Sequence, residues 1–356
     1  MTTLMGMTLF IVIWVSPEIL FKIISKVIGK EYTILQGIKT FFLEIPLVLG
    51  KAIPMGLLLG CLGVFDSLSK NFELTILRSV GVSFKRLLAP VLIISLIFAV
   101  VSYVTFDQFI PISRKILDFG KGCSINQQFV YVDKDKNNKP QQIVIISCFD
   151  GKKINNVNVL QLSSENDLGI PLLKNIYNSP LAVYEHNSIY LVDGISYEIN
   201  DNNIFKQISH FDSIKILKDQ KAKALMDLLQ FSTQRNRNLT GTELSYYLKL
   251  LKQEGMHEEY NYNLNKYYQR IFDSISCIFL ALLGCILGYA RPREKRLFGL
   301  TAAVGVIFLY YIIIPLLDLL AQKEVLYPII TASIPCMIVI GAIIASLKYK
   351  NISIFK

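Results

Sequence analysis

The 356-residue sequence holds three histidines and one tryptophan, and it lacks the short patterns that mark most enzymes. No G-x-x-x-x-G-K-[ST] loop is present to cradle nucleotide phosphates, which excludes ATP hydrolysis by that route. Neither H-E-x-x-H nor G-x-S-x-G occurs. His186, His210 and His257 lie far apart and join no cysteine cluster, and no C-x-x-C exists, so a zinc site is unsupported. The chain reads as non-catalytic, with no cofactor and no metal. A secretory signal is also missing. Met1-Thr-Thr-Leu-Met-Gly6 carries no basic n-region, and no small-residue cleavage site follows. The apolar run begins almost at residue 1, which points to a truncated or misassigned start.

What is present is a layout. A bilayer-spanning helix needs roughly 20 mostly apolar residues. The runs near 7–29, 42–65, 88–110, 271–290, 298–320 and 328–347 each reach that length. A polar block of about 150 residues separates the first three from the last three. The 52% hydrophobic content is ordinary for a soluble domain, so the clustering carries the assignment. The net charge of +10 does not indicate nucleic acid, because the basic residues flank the apolar runs, where positive charge sets topology. Lys70, Arg78, Lys85, Arg86 and the Arg291-Pro-Arg-Glu-Lys-Arg296 loop fall on one side; Lys22, Lys26, Lys30, Lys39 and Lys323 fall on the other. The bias puts both termini inside and the polar block outside.

The polar block changes period. Residues 129–132, 142–147, 157–162, 182–184, 188–192 and 196–199 read as short strands, with turns at Asp150-Gly151, Glu185-His-Asn187 and Asn200–Asn203. Such spacing suggests an antiparallel sandwich or jelly roll. A helix near 241–254 follows, opened by the capping-box pattern Thr240-Gly-Thr-Glu243 and ended by Gly255. Of the six cysteines, Cys61, Cys277, Cys285 and Cys336 sit in or beside apolar runs as small core residues. Cys123 and Cys148 lie in the polar block and can pair if it is extracytoplasmic.

Three groups of residues stand out. Lys22, Lys26 and Lys30 share one helix face at four-residue spacing. Snorkelling at a span end accounts for such lysines; a row on the outer side also suits a ligand with several phosphates. Lys51 lies about 13 Å into the second span at the helical rise, where a lysine faces a cavity or a partner unless it snorkels. Arg270 and Asp273, at the entry of the fourth span, can pair at i,i+3 or line that same cavity. Between spans two and three, residues 67–81 read as an interfacial helix with Ser67 or Ser69 near its start and Gly81 as its stop. Phe72, Glu73 and Arg78 lie on it. They are either a solvated face or a knob that docks on a soluble motor.

These residues resemble a known family. Pro54-Met-Gly-Leu-Leu-Leu-Gly60, then Phe72-Glu-Leu-Thr-Ile-Leu-Arg-Ser-Val-Gly-Val-Ser83, is similar to the LptF/LptG permease signature. Tyr268-Gln-Arg-Ile271 with Leu283-Gly-Cys-Ile-Leu-Gly288 resembles that family's fourth span, and Gly299-Leu with Phe308-Leu-Tyr-Tyr311 its fifth. The resemblance implies a non-catalytic subunit of an ABC-type exporter in the bacterial inner membrane. It implies a second permease copy or paralogue, a cytoplasmic ATPase dimer, a periplasmic jelly-roll bridge protein, and lipopolysaccharide or a related anionic glycolipid as substrate. Spans one and five would form lateral gates. Substrate contact would fall to Lys22, Lys26, Lys30, Lys51 and Arg270, and ATPase coupling to Phe72, Glu73, Arg78 and Gly81. Ser274 stands where many members have proline, and Lys51 occupies a usually apolar position.

The expected architecture is therefore an α-helical membrane protein with six spans in a 3+3 arrangement and an inserted all-β jelly-roll-like domain. Its parts are spans one to three in 1–112 with a coupling helix near 67–81, a periplasmic domain in 113–260, and spans four to six in 261–356. The alternative is a non-transporting scaffold that recruits an envelope complex through its outer domain. A four-span mechanotransmitter fits less well, because the span count disagrees.

Overall fold

The structure is a computed structural model that describes residues 21, 23–29, 32–118, 129–134, 139–149, 153–165, 171–200, 205–232, 238–289 and 297–350. Most of the expected first span, Lys22, Lys30, Cys123, the Asp150-Gly151 turn and the 291–296 loop lie outside the described residues. Two compact units form: residues 1–117 with 236–356, and residues 118–235.

The helical unit is organised by two helices, α1 (Ile34–Lys70) and α7 (His257–Gly288). Thr33 opens α1 through a reciprocal capping box with Gln36. Its 37 residues span about 55 Å, well beyond a bilayer core, so its ends project from the apolar layer. α1 and α7 approach closely because Gly284 and Gly288, four apart, remove side chains from the contact. A Cβ at Gly284 would overlap the Leu58 carbonyl oxygen, and one at Gly288 would lie 2.5 Å from that of Leu62. Two apolar clusters pack around this seam, one through Leu57, Cys61, Phe65 and Cys285, the other through Met55, Leu58, Leu280 and Leu283.

Between α1 and the next span lies α2 (Glu73–Ser79), a helix of seven residues. The expected start at Ser67 or Ser69 is displaced, because α1 runs unbroken through both serines to Lys70. The break comes at Phe72, which takes a left-handed φ of 61°, a costly conformation for a bulky residue. Ser69 caps nothing on α2; its hydroxyl donates to the Gly288 carbonyl instead, at 3.4 Å.

α3 (Phe84–Val104) continues through a π-turn, Thr105–Phe109, into α4 (Ile110–Asp118). On the other side of the chain, α6 (Gly241–Gln253) has the expected capping box, with Thr240 accepting from the Glu243 N–H and Glu243 from that of Thr240. α6 belongs to the helical unit. α8 (Leu297–Gln322) and α9 (Pro328–Lys350) complete it. Among the described residues, five helices are long and apolar enough to cross a membrane, two before the sheet and three after it.

The second unit is a six-stranded sheet with a helix. Strands β1 (Phe129–Lys134), β2 (Pro140–Phe149), β3 (Lys153–Glu165), β4 (Pro171–Glu185), β5 (Ser188–Ile199) and β6 (Phe205–Lys218) pair consecutively and antiparallel. The order is a meander without crossover. The β4–β5 hairpin turns on His186 and Asn187, both with positive φ, the two-residue turn whose twist matches paired strands. The runs 188–192 and 196–199, read as two strands in the sequence, are one strand. Asp193 takes a φ of 54° and Gly194 sits against Phe211 and the Asn178 carbonyl, so the chain kinks without leaving the sheet. β6 was not among the expected strands. α5 (Asp219–Ser232) follows it, and Lys221 donates to Asp133 at 2.5 Å. Cys148 is disulfide-bonded, whereas Cys61, Cys277, Cys285 and Cys336 are buried free thiols.

Candidate functional site

α2 presents most of its surface to the exterior. Leu74 alone of its residues is buried, at 2% exposure, while Phe72, Ile76, Leu77 and Val80 are exposed apolar side chains. Glu73 stands at the first turn, reached by the Asn71 amide at 3.3 Å. Gly81, with a φ of 89°, ends the segment in open space.

α2 is tethered on its inner side. The Arg78 guanidinium donates to the Tyr289 hydroxyl at 2.6 Å and lies 5.8 Å from that ring's centre. Tyr289 follows the last residue of α7, and its ring meets Phe84, the first residue of α3, edge to face at 5.9 Å. The final carbonyls of α7 are taken by Lys350 from the end of α9. Its ammonium donates to Ile286 at 3.0 Å, to Leu287 at 2.9 Å and to Tyr289. A cation at a helix C-terminus satisfies orphan carbonyls and opposes the dipole's negative end.

The expected substrate lysines are only partly visible. Lys22 and Lys30 lie outside the described residues. Lys26 is half-buried, its ammonium 4.9 Å from the Tyr32 ring centre. Around it Phe21, Ile24, Ile28, Ile34 and Leu35 are exposed. Lys51 is half-buried on α1 with its ammonium 6.0 Å from the Tyr311 ring centre. The Tyr311 hydroxyl donates to the Lys51 carbonyl at 3.1 Å, so α8 lies along α1 at that level.

Arg270 and Asp273 do not pair with each other. Arg270 lies 3.7 Å from Asp107, which the π-turn carries, and donates to the Leu239 carbonyl at 2.9 Å. Asp273 accepts from the Tyr310 hydroxyl at 2.7 Å. The partner of Arg270 thus sits on a π-turn. Sequence periodicity does not reveal such a turn.

Polar groups missed in the sequence form a second cluster. Asp318 of α8 accepts from Asn265 at 2.9 Å, Gln269 at 2.7 Å and Lys266 at 2.5 Å, all on α7. Thr331 of α9 donates to Asn265 at 2.9 Å. Ionisable residues in apolar helices are paired inward because exposure to lipid is costly. Asp318, an acid inside an apolar run, was the signal for this cluster. No group of side chains able to hold a metal ion occurs among the described residues. At the helical unit's polar rim, Lys115 donates to both Glu243 oxygens, at 2.6 and 2.8 Å.

The family model for the lipopolysaccharide export system permease LptF/LptG matches residues 1–349. No curated protein matches the chain.

Proposed function

The chain belongs to the LptF/LptG family of lipopolysaccharide export permeases, and on that premise we propose that it is the membrane subunit of an ATP-driven exporter. In this reading a cytoplasmic ATPase dimer docks on α2, and a second permease copy or paralogue faces the exposed apolar helices. The apolar run near 7–29 supplies the first span of a 3+3 arrangement in the bacterial inner membrane. The sheet unit is the periplasmic domain that passes lipid to a jelly-roll bridge protein. The disulfide at Cys148 supports an oxidising compartment for that unit.

The observation that carries the proposal is the α2 surface. Phe72, Ile76 and Val80 stand exposed beside Glu73 on a segment too short to be stable without a partner or a tether. The chain has no phosphate loop, so the energy comes from whatever binds there. Lys22, Lys26, Lys30 and Lys51 hold the phosphates of the lipid, and the apolar walls hold its acyl chains. Arg270 braces that wall through Asp107 and Leu239. ATP binding closes the motor, α2 moves, and the cavity collapses toward the periplasmic domain.

The test is Glu73→Lys. Extraction of lipopolysaccharide per ATP should fall at least about tenfold, the effect of one lost charged contact at an interface. Normal transport with an intact complex sinks the assignment. Absence of any ATPase copurifying with the native chain would instead support a scaffold.

A further inference from the structure

The end of α7 gathers contacts from four other elements. Ser69 from α1 and Lys350 from α9 hold its carbonyls, while Arg78 from α2 and Phe84 from α3 hold the Tyr289 side chain. We propose that Tyr289 is a positioning residue for coupling: it is the joint through which displacement of α2 reaches the transmembrane shaft made by α7 and α1, and Lys350 is the clamp that keeps that joint on the helix. The inference rests on the reading of α2 as the motor's docking element.

Among the described residues, the contacts leave few other routes. α2 buries one side chain, Leu74, so a partner that pushes on its exposed face acts on the bundle through Leu74, the flanking backbone and Arg78. Arg78 ends on Tyr289. From there the path is stiff. Gly288 and Gly284 seat α7 against α1 with no slack at the carbonyls of Leu62 and Leu58, so α7 moves with α1 rather than sliding on it. Lys350 is 4% exposed and has three donors, matched by three carbonyls. With those carbonyls held, the last turn resists fraying, and a pull on Tyr289 moves the helix instead of unwinding it. The bond joins a cation to a phenol oxygen at 2.6 Å and depends on that one oxygen.

The experiment uses the complex of the full chain with its copurifying ATPase in proteoliposomes containing purified lipopolysaccharide. ATP hydrolysis and lipid extraction are measured together. Tyr289→Phe removes one oxygen and keeps the ring on Phe84. It should leave complex formation intact while lipid extracted per ATP falls about fivefold, the scale of one ordinary hydrogen bond. Arg78→Met should lower the yield per ATP by as much, and Arg78→Lys, which keeps a cationic donor, should restore most of the loss. The double variant Tyr289→Phe with Arg78→Met should be no worse than either single one, because both remove the same bond. Losses that multiply in the double variant would place Arg78 directly on the motor and overturn the joint. An unchanged yield per ATP in Tyr289→Phe overturns it as well. If the native chain brings down no ATPase, the docking assignment itself fails, and the joint with it.

Discussion

The two ends of α7 are held differently. Toward its N-terminal half, Asn265, Lys266 and Gln269 converge on Asp318 of α8, and Thr331 of α9 closes the set through Asn265. One turn further, Asp273 takes the Tyr310 hydroxyl. Three helices are thus joined by a satisfied buried network. At the C-terminal end, one lysine holds three carbonyls and one tyrosine links the helix to an exposed segment. A network shared among three helices fixes a frame, because moving any member leaves a buried group unpaired. A link through a single exposed arginine strands no buried group when α2 and the end of α7 move together. The comparison separates a frame from a moving part within one helix.

The hardest blow to the frame is Asp318→Leu. It takes the carboxylate from the Lys266 ammonium, which keeps Gln269 Oε1 at 3.0 Å; with the pair 24% and 17% exposed, the loss costs about 2 kcal/mol, below that of a fully buried pair. The melting temperature in detergent should fall sharply. Adding Lys266→Met should recover much of the loss, since a buried pair replaced by apolar residues is often neutral. The same change should leave the Arg78–Tyr289 end untouched. If extraction per ATP falls in the double variant although the melting temperature recovers, the two ends are not independent and the comparison breaks.

A comparable effect is expected from Gly284→Ala, which tests the shaft between the ends. Its Cβ would meet the Leu58 carbonyl oxygen, with the Cys61 Cβ only 3.1 Å away. Backbone must shift to admit it, at about 2 kcal/mol. Thermal unfolding reads the stability. Cross-linking of cysteine pairs placed across α1 and α7 reads whether the helices have separated.

Much of this was legible in the sequence, for identifiable reasons. Five of the six apolar runs correspond to described helices, because length and hydropathy alone decide a span. The capping boxes are local and were readable at Thr240. What escaped was whatever depends on distant partners. Ser69 looked like a cap for α2 but bonds Gly288, 219 positions away. Arg270 and Asp273 could pair at i,i+3 by spacing, yet Arg270 found Asp107 on the π-turn and Asp273 found Tyr310 on α8. β6 was missed because polar residues on both faces interrupt its alternation, as at Ser209-His210 and Asp212-Ser213. Tyr289 and Lys350, at the end of their apolar runs, look like ordinary interfacial residues until the fold brings them together.

The smallest expected effect concerns the rim, where frame and moving part give way to solvent. Partial burial of Glu243 works to raise its carboxyl, but the Lys115 ammonium and the Thr240 N–H outweigh it and hold the carboxyl below the usual range. A carboxyl lowered in the folded state adds stability that is fully present above its unfolded value, near pH 4.3. That stability is lost as pH falls through the folded value. Both partners are more than a third exposed, at 39% and 35%, so solvent screens the pair and its worth is about 0.5 kcal/mol. The melting temperature of Glu243→Gln should sit slightly below the native one at pH 7 and converge on it as the pH is lowered below 4. Salt at about 1 M should narrow the gap at pH 7. A gap that persists at low pH would mean that Glu243 acts through its capping geometry, which glutamine also supplies in part, and not through charge. The rim would then belong with the frame, held by hydrogen bonds that do not depend on ionisation.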